Sequence, residues 1–177
     1  MSFILRKIRK GRWHGSDVLK WLPANELPAD SLVDLATKDN QLSIYIVEGD
    51  RSNLDRIIAA LSANCDFISN FDYALLDKEV LDVIKIKMTN VKGETPDEEV
   101  NAVHRDLVEL SASQILELAA AISAKAERGR LTNKQVLRVL ANAVGSGHIE
   151  RDKLKLKADE LAKIDNELKE RTERPEK

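Results

Sequence analysis

The chain has 177 residues, 43% of them apolar and 33% charged, with a formal net charge of -2. That length holds one domain, or a small domain with an appendage, and buries a core without covalent staples. The charge balance excludes a global attraction to nucleic acid or anionic membrane, the lone Cys65 excludes an internal disulfide, and no apolar run approaches the ~18 residues of a membrane span.

The opening MSFILRKIRK places apolar residues before cations, the reverse of a secretory signal, so the cytosol is the expected compartment. Alternation over this stretch predicts a strand, with Ile4, Arg6, Ile8 and Lys10 on one side and Phe3, Leu5, Lys7 and Arg9 on the other. Short helices are expected at Asp17–Trp21 and Asp30–Thr37. Leu42–Glu48 is rich in β-branched and aromatic residues and runs into Gly49-Asp50, which predicts a strand and a turn. Leu54, Ile57, Ile58 and Leu61 then recur at helical spacing, with Ser52 as the expected N-cap and Cys65 as a buried structural thiol. Asn70–Asp77 fits either a strand or a helix stripe. Ile84–Met88 alternates strictly and predicts a half-buried strand.

Every aromatic residue lies at or before Tyr73, and the rest of the chain builds its core from Leu, Ile, Val and Ala. This shift suggests a mixed subdomain at 1–93 and a helical one at 94–177, or one continuous domain, joined where Gly93 and Pro96 interrupt the pattern. Thr95-Pro96-Asp97-Glu98 reads as a capping box opening a helix with Val100, Val103, Leu107 and Leu110 on its buried stripe. The helical pattern resumes after Ser111–Ser113. Thr132 and Gln135 form another capping box, leading to an apolar face of Val136, Leu137, Leu140, Ala143 and Val144 and a stop at Gly145. A last charged helix is expected from about Glu150, with Leu154, Leu161 and Leu168 at heptad spacing, i,i+4 pairs such as Glu167–Arg171, and a frayed tail. The predicted fold is thus α+β: a small three- or four-stranded sheet with packed helices in the N-terminal half, and a helical C-terminal half.

Arg6, Lys7, Arg9, Lys10 and Arg12 beside Trp13 are the residue types that bind phosphates and stack a base, so they form a candidate nucleic-acid surface. The competing reading is a basic strand edge paired with the acids that follow. His104-Arg105-Asp106 has the kinase catalytic-loop letters without the Asn, the glycine-rich loop or the chain length, and reads as a packed histidine. The three histidines have no paired spacing and no CxxC occurs, so neither a metal nor a cofactor is implied. Glu48 and Asp50 at a strand end leave a metal-dependent hydrolase or nuclease as an alternative. Gly145-Ser146-Gly147 is a helix stop rather than a phosphate loop. The segment from Gly129 to Leu154 has helix-turn-helix character, with Asn133, Lys134, Gln135, Arg138 and Asn142 as readers.

The leading expectation is a non-catalytic, bacterial-type cytosolic protein that binds another macromolecule, as an inhibitor, immunity factor, adaptor or small subunit does. Its partner would be another protein, met by an acidic band of Glu48, Asp50, Asp72 and Asp77 and by the last helix through Leu154, Leu161 and Leu168. That helix could also pair two copies of the chain. Nucleic acid is the alternative partner, and no membrane is involved.

Overall fold

The computed structural model describes residues 2–13 and 27–173; the expected helix at Asp17–Trp21 lies outside them. Contacts divide the chain into two compact units, each assembled from three segments: Met1–Ser52, Asp72–Lys92 and Val103–Arg130, then Asn53–Phe71, Gly93–Ala102 and Leu131–Lys177.

The first unit is built on strands β1 (Phe3–Ile8) and β2 (Leu42–Val47), followed in the chain by helix α1 (Leu54–Ala63), strand β3 (Phe71–Asp77), the short helix α2 (Glu79–Val83) and strand β4 (Lys87–Asn90). Helix α3 (Glu98–Ala102), strand β5 (His104–Val108), helix α4 (Ala112–Lys125) and strand β6 (Glu127–Leu131) come next. Helices α5 (Asn133–Gly145) and α6 (Ala158–Glu173) complete the order. The strands form one six-stranded antiparallel sheet in the order β4-β5-β2-β1-β3-β6. Because β2 and β3 each run antiparallel to β1 from either side, they are parallel to one another with β1 between them.

The α+β class therefore holds, and the strand count is six rather than three or four. The two missed strands, β5 and β6, lie in the half expected to be helical. Their sequences, HRDLV and ERGRL, carry charge where a strand signal needs apolar alternation, and each continues the 3.6-residue spacing of the segment before it. The ambiguous stretch from Asn70 resolves as β3. Phe71–Leu76 are all buried, and a strand buried on both faces reads as a continuous apolar run.

One face of the sheet carries Ile4, Ile8, Leu42, Ile44, Ala74, Leu76 and Leu107, packed with Leu118 and Ile122 of α4 and with Leu35 of a 3₁₀ turn at Ala29–Leu35. That turn stands where a short helix is expected from Asp30. Lys38 and Gln41 close a two-residue turn whose central Asp39 and Asn40 both have positive φ (53° and 58°), the hairpin geometry that feeds β2. The strict alternation at Ile84–Met88 misleads. Ile84 ends α2, Lys85 turns the chain with φ 53°, and β4 starts at Lys87.

In the second unit α5 packs against both α1 and α6. Ser52 does not cap α1. Asn53 occupies that position, while the Ser52 hydroxyl donates to Glu48 at 2.6 Å. The Thr95 capping box is replaced by a different device. Asp97, fully buried, accepts from the backbone N–H of Glu99 and Val100 and pairs with the Arg56 guanidinium at 2.6 Å. Ser111 with Gln114 and Thr132 with Gln135 do form reciprocal capping boxes, at the starts of α4 and α5. The left-handed stop after α5 is Gly147, φ 75°, not Gly145. The last helix begins at Ala158. Before it, Leu154 and Leu156 are buried in an extended stretch whose Lys155 N–H bonds the Ala63 carbonyl.

The N-terminal cations are locked down by one residue of the 3₁₀ turn. The buried Asp34 carboxylate accepts from the Arg9 backbone N–H (2.7 Å), from Arg12 Nη1 (2.6 Å) and from the indole Nε1 of Trp13 (2.8 Å). Its backbone carbonyl accepts from Nε and Nη2 of Arg6, whose third arm donates to the Ser43 carbonyl. Removing the carboxylate strands a buried indole N–H and an ion-paired guanidinium, so Asp34→Ala should lower stability by about 3 kcal/mol. Arg12→Ala, which removes a partly exposed group, should cost less than half of that. Urea midpoints of the two variants measure both.

Candidate functional site

Register fixes which charged residues meet. Phe3 on β1 faces both Val47 and Asp77, so Glu48, Asp50 and Asp77 cluster at the sheet end where β1 starts. Ile8 faces Asp72, about 17 Å away along the strand at ~3.4 Å per residue. The acidic band is therefore not one patch, and Asp72 belongs to the opposite end.

At the acidic end the carboxylates serve local turns. Asp50 accepts from the Ser52 N–H, which holds its pKa below the usual carboxylate range. Asp77 accepts from the Glu79 N–H at 3.0 Å. Arg51 forms a two-pronged pair with Glu127 and lies over the Phe3 ring. Among the described residues, no group of three or more His, Cys, Asp or Glu is placed to hold a metal ion.

The His104-Arg105-Asp106 triplet sits on β5 rather than on a helix. His104 Nδ1 lies 2.9 Å from the Val91 carbonyl, its ring meets Tyr45 edge to face at 5.0 Å, and Asp106 accepts from the Ser43 hydroxyl. Burial, followed by the charge of Asp106, pushes the Tyr45 phenol above its ordinary pKa. The cluster is a packed polar seam between β2 and β5. The helix-turn-helix expectation is overturned, because strand β6 separates α4 from α5. The leucine heptad is not on one helix either. Leu154 is buried before α6 begins, while Leu161 and Leu168 are half-buried, with Leu168 against the backbone of Gly145.

Trp13 is 2% exposed, so it has no face to offer a base. Arg6 is half-buried, and desolvation, partly offset by Asp34, draws its pKa below the ordinary arginine value. Of the six residues proposed for a nucleic-acid surface, Lys7 and Arg9 are exposed and Lys10 is half-buried at the mouth of a cleft.

That cleft lies within the first unit. It measures about 180 Å³ and is lined by Ile8, Lys10, Asp72, Arg128, Gly129 and Arg130. The residues converge for a topological reason. On β6, Arg128 and Arg130 are two apart and share a face, as do Asp72 and Ala74 on β3. Asp72 Oδ2 accepts from the Lys10 backbone N–H at 2.9 Å, anchoring the turn that carries the lysine. Its Oδ1 is ion-paired with Arg130 Nε at 2.9 Å, yet that N–H is not aimed at the oxygen, and Oδ1 is buried without a hydrogen bond. Desolvation lowers the Arg128 pKa, the mark of a guanidinium drawn partly out of water. Sequence reading found Lys10 and Asp72 but assigned them to opposing hypotheses. Arg128 and Arg130 were missed because β6 was hidden in a helical pattern.

No family model, curated protein or solved structure matches this chain.

Gly129 sets the spacing between β3 and β6 at the cleft. A Cβ at this position would fall 2.2 Å from Cζ of Tyr73, whose side chain is buried. Gly129→Ala should therefore destabilise the protein by about 2 kcal/mol through forced displacement of the ring. Trimming the ring in Gly129→Ala/Tyr73→Leu should recover part of that loss relative to Tyr73→Leu alone. A double-mutant cycle on thermal midpoints reads the coupling.

Proposed function

We propose that this chain is a non-catalytic macromolecule-binding protein of the cytosol, of the inhibitor, immunity-factor, adaptor or small-subunit kind. One observation carries the reading. The sheet is electrically polarised along its strands, with Glu48, Asp50, Asp77 and Glu79 at one end and Lys7, Arg9, Lys10, Arg128 and Arg130 at the other. Separated charge of this kind orients an approaching partner and raises the association rate, while adding little to the fold's own stability. The polar clusters at Asp34, Asp97 and Asp106 bond within the fold, which supports assigning them to architecture rather than to chemistry.

The partner favoured by this reading is another protein. A nucleic acid is the second reading, and the basic end supports it through phosphate contact alone, since the buried Trp13 offers no stacking platform. No helix among the described residues is long and apolar enough to cross a membrane.

Wild type and two charge-reversed variants, Glu48→Lys/Asp50→Lys and Lys7→Glu/Arg9→Glu, serve as bait in host lysate at ~0.15 M salt. Reversal of one end should cut recovery of a stoichiometric partner at least about tenfold while the other reversal leaves it intact, with thermal midpoints within ~4 °C of wild type. Loss confined to nuclease-sensitive material on the basic-end variant would move the assignment to nucleic acid. Equal recovery on all three baits, or none on any, would sink the reading.

A further inference from the structure

We propose that the cleft between Lys10, Asp72, Arg128 and Arg130 is a binding site for hydrogen phosphate, an oxyanion that carries its own proton. The site stands apart from the macromolecule reading: a failure to bind phosphate leaves that reading untouched, and the reverse is also true.

Two requirements meet in the cleft. Three cationic side chains against one carboxylate leave a net positive, partly desolvated wall, which calls for an anion. A bare anion would nevertheless be repelled by Asp72, which lines the same cleft and whose buried Oδ1 accepts no hydrogen bond. A ligand that satisfies both is an anion carrying its own proton. Inorganic phosphate near neutral pH retains at least one O–H, whereas a monoester, with its second pKa close to 6, is then mostly the proton-free dianion. That hydroxyl donates to Asp72 Oδ1 while the remaining oxygens accept from Arg128, Arg130 and Lys10. Sulfate has the same size and shape and no proton, so it would set an oxyanion against a buried carboxylate with nothing between them. The 180 Å³ volume takes one tetrahedral oxyanion. With no exposed aromatic in its lining, the site reads the phosphate and not a base.

Asp72 is thus the residue that sets specificity, and the guanidinium groups supply affinity. The contrast is measurable, because leaving a buried acceptor against an anion is worth a factor of ten or more.

The test is calorimetric titration of the full chain at pH 7.5 with inorganic phosphate, phenyl phosphate and sulfate. Wild type should bind phosphate with sulfate at least about tenfold weaker. Phenyl phosphate, proton-free at this pH, should bind about as weakly as sulfate; binding as tight as that of the inorganic ion would overturn the role given to Asp72. Asp72→Asn replaces the acceptor by an amide that can donate, and should bring the phosphate-to-sulfate ratio to near one. Arg128→Gln should weaken both anions and leave the ratio unchanged, as expected of a group that supplies affinity and not specificity. If Asp72→Asn fails to fold, the wild-type ratio with Arg128→Gln still decides. Sulfate binding as tightly as phosphate, or no heat with phosphate at about 10 mM, would overturn the proposal.

Discussion

Asp34 is the carboxylate on which the N-terminal basic segment closes. The chain from Arg6 to Trp13 carries five cations and an indole N–H, a composition that would ordinarily stay in water. Asp34 takes the Arg12 guanidinium, the Trp13 indole and the Arg9 amide on its two oxygens, and its carbonyl takes two arms of Arg6. Charge-assisted bonds of this sort are about twice as strong as neutral ones, and each donor they satisfy is one whose desolvation would otherwise oppose folding. Trp13 can then sit in the core with Ile8 and Leu35, and the 3₁₀ turn that bears Asp34 is held down on the sheet. With the indole buried and two guanidinium groups committed, the cations the segment shows to solvent are Lys7 and Arg9, with Lys10 half-buried.

The same economy explains why the sequence was legible in some places and opaque in others. β1, β2, α1 and α5 announce themselves, because each presents one apolar face with the period of its structure and a clear stop or cap, such as Thr132 with Gln135. β3 is ambiguous for a physical reason: buried on both faces, it has no alternation to show. β5 and β6 are hidden because pairing partners, not their own side chains, make them strands. His104 and Asp106 are buried polar residues satisfied by Val91 and Ser43, contacts that no local pattern encodes. The heptad of Leu154, Leu161 and Leu168 is a coincidence of spacing across an extended stretch and a helix.

The candidate site suffered more than the fold, and for a related reason. Lys10 and Asp72 are 62 residues apart and were visible only as members of a basic run and an acidic set. Counting charges along the chain placed them on opposing surfaces. The register Ile8↔Asp72 brings them together, and the misread strand β6 supplies Arg128 and Arg130. A cleft whose parts come from three strands and a turn is a property of topology. Sequence reasoning that stops at runs and periods has no access to it.

The position of Asp72 within that cleft carries the last step of synthesis. A carboxylate inserted among cations is most economically a structural counter-ion, as Asp34 and Asp97 are, and each of those two has both oxygens engaged by donors. Asp72 departs from the pattern set by its own fold. One oxygen anchors Lys10, while the other lies beside Arg130 without receiving its proton. A counter-ion with no other task would gain from the small rotation that aligns the Arg130 N–H with Oδ1. The unfilled acceptor beside two arginines distinguishes this carboxylate from the purely architectural ones and makes it the natural receiver of a ligand's proton.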